Sequence, residues 1–148
     1  MTLAPCVEAL LEGNNLIDRA RQAGAVITPQ REIVCRALQA SKDHPDAEQL
    51  HERARRHDPG IALATVYRLM RALLDYELVI AHDFGDGRTR YELNDGRHHD
   101  HLICMASGRI IEFHDAELEA LKHRIAKRLG YELEHHSLEL YGRPRARR

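Results

Sequence analysis

The sequence predicts an α+β fold: a helical N-terminal part closes on a β-hairpin, and a smaller segment of short strands and one helix follows. Three observations carry that prediction. Apolar residues recur at helical spacing, between recognisable caps, up to about residue 76. Two short β-type runs then flank Gly85-Asp86-Gly87. Beyond Asn94-Asp95-Gly96, a hinge-like turn signal, the pattern changes to short strands with one helix among them.

Composition bounds the possibilities. The 148 residues suffice for one ordinary domain or two small ones, and 43% hydrophobic with 30% charged residues describes a globular chain. No apolar run reaches the ~18 residues of a membrane span, and no basic, apolar leader is read, so a cytoplasmic protein without a membrane partner is expected. Cys6, Cys35 and Cys104 are odd in number and widely spaced, which argues against a disulfide framework and fits a reducing compartment. The formal net charge of −1 weighs, by itself, against nucleic-acid binding, so any such role needs a local arrangement of cations.

Taken in order, Asn14 to Ala23 is a short helix with Leu16, Ile17 and Ala20 on one side and Gly24 as its stop. Thr28-Pro29 reads as an N-cap with proline at the first helical position, opening a helix whose stripe is Ile33, Val34, Ala37 and Leu38. After a loop from Ser41 to Pro45, Asp46 with Gln49 resembles a capping box for a third helix reaching about His57, and Asp58-Pro59-Gly60 turns the chain. The fourth helix, about Ala62 to Tyr76, buries Leu63, Val66, Met70, Leu73 and Leu74. Its other face shows Thr65, Tyr67, Arg68 and Arg71, side chains suited to phosphates and base edges, although a solvated surface helix would look the same.

The hairpin changes that balance. Leu78 to Asp83 and Arg88 to Leu93 are its strands, and Arg88, Arg90 and Glu92 alternate with Thr89, Tyr91 and Leu93, giving an arginine-rich outer face. Helices followed at once by such a hairpin form a winged helix-turn-helix order, in which the preceding helix enters the major groove and the wing touches the backbone.

Past the hinge, Arg97-His98-His99-Asp100-His101-Leu102-Ile103-Cys104 concentrates three of the chain's eleven histidines beside a carboxylate. In an extended strand His99 and His101 share one face, and His98 and Asp100 the other, so two metal half-sites would sit back to back. A solvated histidine-rich loop is the alternative. Ser107-Gly108 turns into a strand through Phe113, Asp115 caps a helix with Leu118, Leu121, Ile125 and Leu129 as its buried stripe, and Gly130 ends it. A last strand, about Leu133 to Tyr141, places His136 with Leu138 and Leu140 on an inward face. His44, Glu92, Glu112, Glu119 and His136 are the ligand types available elsewhere, and each taken singly has an ordinary structural role open to it.

Five motifs in order, Leu63-Ala64-Thr65-Val66-Tyr67-Arg68, Tyr91-Glu92-Leu93, His98 to Cys104, Gly108 to Phe113 and His136 to Gly142, resemble the ferric uptake regulator (Fur) family over about residues 15 to 142. The resemblance implies a metal-dependent dimeric repressor. Residues 1–94 would be a winged-helix DNA-binding domain, 95–97 a hinge, 98–142 a small α/β dimerisation and metal-binding domain, and 143–148 a basic disordered tail. It implies a regulatory site of His44, Glu92, His99, His101 and Glu112, and a second site of His98, Asp100, Glu119 and His136. DNA contacts would come from Thr65, Tyr67, Arg68, Arg31 and Arg88 on a palindromic, A·T-rich operator, read by a homodimer or a higher oligomer.

Imidazoles with carboxylates suit Fe²⁺ as effector, or Mn²⁺ in the cell, and would also take Zn²⁺ in purified protein. The sequence departs from the family in lacking the CxxC: Cys104 is followed by Ser107, so a four-cysteine structural zinc is excluded. The basic residue many members carry before the second helix is Val26 here. Asp100 argues against the haem-responsive branch, and glutamates at 92 and 112 argue against a peroxide sensor. A mononuclear iron enzyme on His99, His101 and a glutamate is the reading from another class, but five available ligands leave little room for substrate. A switch without chemistry, not an enzyme, is the expectation.

Overall fold

The structure, a computed structural model, describes residues 15–145. Residues 1–14 and the end of the basic tail, residues 146–148, lie outside the described residues. The chain forms two compact units, one ending at Gly96 and the other beginning at Arg97.

The N-terminal unit holds α1 (Leu16–Gln22), α2 (Pro29–Gln39), α3 (Ala47–Arg55) and α4 (Leu63–Asp75), followed by the antiparallel hairpin β1 (Val79–Asp83) and β2 (Thr89–Leu93). Each of the first three helices starts where a short polar side chain can accept an orphan backbone N–H. Asn15 accepts from Asp18, Thr28 from Arg31, and Asp46 from Gln49 in a reciprocal capping box. The fourth starts at Ala62 with no side-chain cap, so packing must hold it in place. Val66, Leu69, Met70 and Leu73 of α4 are fully buried against Val34 and Leu38 of α2 and Leu50 of α3. A leucine buried in this way contributes roughly 1.5–3 kcal/mol. Tyr91 and Leu93 of β2 close the same core.

In the C-terminal unit, β3 (Asp100–Cys104) is central, antiparallel to β4 (Ile110–Phe113) and parallel to β5 (Glu139–Gly142), with α5 (Ala116–Arg128) between the last two strands in sequence. Asp115 caps α5 by accepting from Leu118. Two expectations are corrected. The α5 stripe is not buried: Leu121, Ile125 and Leu129 are exposed and the helix has no buried residue, because the described residues offer no element to cover it. The last strand begins only at Glu139, and residues 131–138 run without a ladder. Their one backbone bond to the sheet is from His101 N–H to the Leu138 carbonyl at 3.2 Å.

Candidate metal centres and nucleic-acid face

In the N-terminal unit, His44 lies in the loop between α2 and α3 with 3% exposure and a positive φ of 49°. A non-glycine residue in that region stores backbone strain, which the surrounding packing must hold. Its Nε2 donates to Oε2 of Glu92 at 2.6 Å. The loop and strand are joined next to this contact, since Tyr91 N–H donates to the Pro45 carbonyl at 3.0 Å. Sequence reasoning missed a neighbour: Nε2 of His82 on β1 is 2.9 Å from Oε1 of Glu92. The hairpin register could have found it, because Ile80 opposes Glu92 and His82 is two residues along the same face. Phe84 stacks on His82 with ring centroids 5.2 Å apart and meets His44 edge-on, so the three polar groups sit in a partly apolar pocket.

In the C-terminal unit, Asp100 and His101 are adjacent on β3, both buried, and so project to opposite faces. The rings of His99 and His101 lie 4.9 Å apart. Glu112 opposes His101 in the β3–β4 register, on a strand position open to solvent. On the other face, ligand atoms of His98, Asp100, Glu119 and His136 all lie within 4.8 Å of one another. His98 Nε2 is 3.4 Å from Asp100 Oδ1, and the His98 and His136 rings pack edge to face at 4.0 Å.

A residue the sequence reading omitted occupies the middle of this cluster. Lys122 Nζ donates to Asp100 Oδ2 at 3.0 Å, Glu119 Oε1 at 2.8 Å and His136 Nε2 at 2.6 Å. The signal was available, since Lys122 follows Glu119 by three residues on one helix face. The hydrogen bond from Lys122 holds the Glu119 carboxyl below its ordinary value against a smaller effect of burial. Burial disfavours the charged Lys122 amine, but its bonds to Glu119 and Asp100 outweigh that and raise it.

The expected DNA-contacting residues divide by environment. Tyr67, at 49% exposure, and Arg68 project from the first turns of α4, with Thr65 half-buried beside them. Arg31 donates to the Val26 carbonyl at 2.7 Å. Arg88 remains 54% exposed but its Nη1 donates to Oδ2 of Asp46 at 2.8 Å. The expectation of two exposed wing arginines fails for Arg90. Its side chain is 15% exposed and bonded to Asp86 at 2.7 Å and Gln49 at 3.3 Å, because it lies over α3 rather than away from it. An open cleft of about 400 Å³ runs between Tyr67, Arg88, Thr89 and the start of α3. No described helix is long and apolar enough to cross a membrane.

A model of the ferric uptake regulator family matches residues 22–141. The ferric uptake regulation protein of Rhizobium leguminosarum bv. viciae is 46% identical over 123 residues, spanning 83% of this chain and 87% of that one. Among solved structures, a zinc-bound manganese uptake regulator superposes with a TM-score of 0.79 at 44% identity, covering 88% of this chain and 99% of its own. The ferric uptake regulator of Vibrio cholerae gives 0.76 at 36% identity, covering 84% and 96%. The architecture is therefore an α+β winged-helix DNA-binding domain joined to a dimerisation domain. The chain belongs to the ferric uptake regulator family and is a metal-dependent, DNA-binding, dimeric transcriptional regulator, not an enzyme.

Proposed function

We propose that the chain is a cytoplasmic Fe²⁺-responsive repressor of metal-uptake genes, in which His44 and Glu92 of the first unit and His99, His101 and Glu112 of the second hold one regulatory ion. The ion, when bound, supplies a bond between the two units. The observation that carries this reading is the buried His44–Glu92 contact at 2.6 Å. Taking an imidazole and a carboxylate out of water is costly unless they are well paired, and here it is done on a strained backbone at φ 49°. A buried imidazole–carboxylate pair held there is a ready ligand couple for a divalent ion. The donor set fits Fe²⁺, Mn²⁺ or Zn²⁺. Manganese is the second reading, favoured by the likeness to a manganese uptake regulator at 44% identity.

In this mechanism Tyr67 packs on base methyl groups, Arg68 bonds phosphate or guanine, and Thr65, Arg31 and Arg88 contact the backbone of a palindromic, A·T-rich operator. Two copies pair through the exposed Leu121 and Ile125 of α5 and Leu129 at its C-cap, and a palindromic operator offers its two half-sites about one turn of duplex apart. Metal and DNA must then tighten each other equally. The test is operator affinity by anisotropy under anaerobic conditions across Fe²⁺ and Mn²⁺, at fixed salt, for wild type, His44→Ala and Glu92→Gln. Both variants should need at least tenfold more metal. Full wild-type affinity after chelation would refute the mechanism.

A further inference from the structure

The cluster of His98, Asp100, Glu119 and His136 has the donor chemistry of a divalent site, yet its centre is taken by the Lys122 ammonium. An ammonium has three N–H donors, and Asp100, Glu119 and His136 accept all of them. Asp100 is 1% exposed, so its carboxylate requires a cationic or hydrogen-bonding partner, and Lys122 is one that never dissociates from the chain. A zinc-like ion would sit about 2.0–2.2 Å from nitrogen and oxygen ligands, which places it where Nζ now stands. Ion and lysine cannot share that point. Two carboxylates against one ammonium also leave the cluster with only one uncompensated negative charge when its imidazoles are neutral.

We propose that Lys122 is a resident cation that keeps this cluster assembled without metal and closed to divalent ions. The cluster is then a structural joint between β3, α5 and the segment carrying His136, and the regulatory ion is the only one each protomer takes up specifically. This goes beyond the regulatory reading and uses none of its ligands.

The test is metal stoichiometry of the full chain dialysed against Zn²⁺ and, separately, Mn²⁺, for wild type and Lys122→Met, with melting of the apo-proteins alongside. Lys122→Met should take up one more ion per protomer than wild type, and the extra ion should vanish when His136→Ala or Glu119→Gln is added. Its apo form should melt below wild type and recover when loaded. His114, His123 and His135 surround the adjoining cavity of about 320 Å³ and can hold a stray ion, so only the count that depends on His136 and Glu119 is scored. In the wild-type background, His136→Ala and Glu119→Gln should leave the stoichiometry unchanged. If either removes an ion there, the proposal is overturned whether or not Lys122→Met folds, and it is overturned equally if Lys122→Met gains none. The regulatory reading is judged separately, by the ion that His44→Ala removes.

Discussion

Asp46 does two jobs that can be separated by one substitution. Its Oδ1 accepts the Gln49 N–H at 2.7 Å and caps α3, while Oδ2 accepts Arg88 Nη1 at 2.8 Å and restrains the wing arginine. Asp46→Ser keeps a capping oxygen but loses the carboxylate. The lost ion pair contributes little to stability because Arg88 is half-exposed and screened. The lost charge at the helix start removes about 0.3–1 kcal/mol more. Asp46→Ala forfeits the cap as well, a further ~1 kcal/mol. Urea unfolding should therefore rank wild type above Asp46→Ser above Asp46→Ala.

Operator binding should move the other way. If wild-type Arg88 must leave Asp46 to reach phosphate, releasing it beforehand tightens binding by up to about fivefold. The assay is anisotropy at saturating metal and fixed salt for Asp46→Ser, Arg88→Ala and the double variant. Arg88→Ala should weaken binding, and the gain from Asp46→Ser should disappear in the Arg88→Ala background. A gain of equal size in that background would show that simple removal of negative charge is responsible, and the restraint argument would be wrong.

Other expectations follow from packing and charge. Leu69→Ala in the fully buried α4 face should destabilise the N-terminal unit by about 2.7–5 kcal/mol, read from urea midpoints. Ile125→Asp should convert the dimer to monomer in analytical ultracentrifugation at micromolar protein, and an unchanged dimer would place the interface elsewhere. Cys35 is pushed up to about 11 by burial, so at pH 8 only about one thiol in a thousand is ionised. In a Cys6→Ser, Cys104→Ser background it should react with a thiol reagent only after unfolding. The hydrogen bond from Arg53 holds the Asp43 carboxyl below its ordinary value. Its contribution is therefore complete above the unfolded value near ~3.9 and is lost as pH falls through the lower folded value. The wild-type advantage over Asp43→Asn, under about 1 kcal/mol for so exposed a pair, should shrink below about pH 4 in urea titrations.

The sequence was legible wherever the deciding physics is local. Thr28-Pro29, the Asp46–Gln49 box, Asp115 and the hairpin around Gly85-Asp86-Gly87 all formed as their side chains require. Alternation along one strand also anticipated that His98 keeps company with Asp100, and His99 with His101. What escaped is what only tertiary placement decides. Arg90 has the same strand parity as Arg88, yet α3 lies beneath it and Gln49 and Asp86 hold it. The leucines of α5 have core periodicity, but periodicity does not say whether the core belongs to one chain or two. His82 and Lys122 were passed over because each looks like an ordinary surface residue until the register or helix turn beside it is counted.

The bare stripe on α5 couples this regulator's abundance to its integrity. A helix with no fully buried residue gains little from packing within its own chain beyond the half-buried Leu118 and the Lys122 bonds to Asp100 and His136. If a second copy covers that stripe, association stabilises the C-terminal unit, and its melting temperature should climb with protein concentration. At low expression, newly made copies would wait on one another before they could serve, and an assembly-competent copy defective in DNA contact would poison its mates.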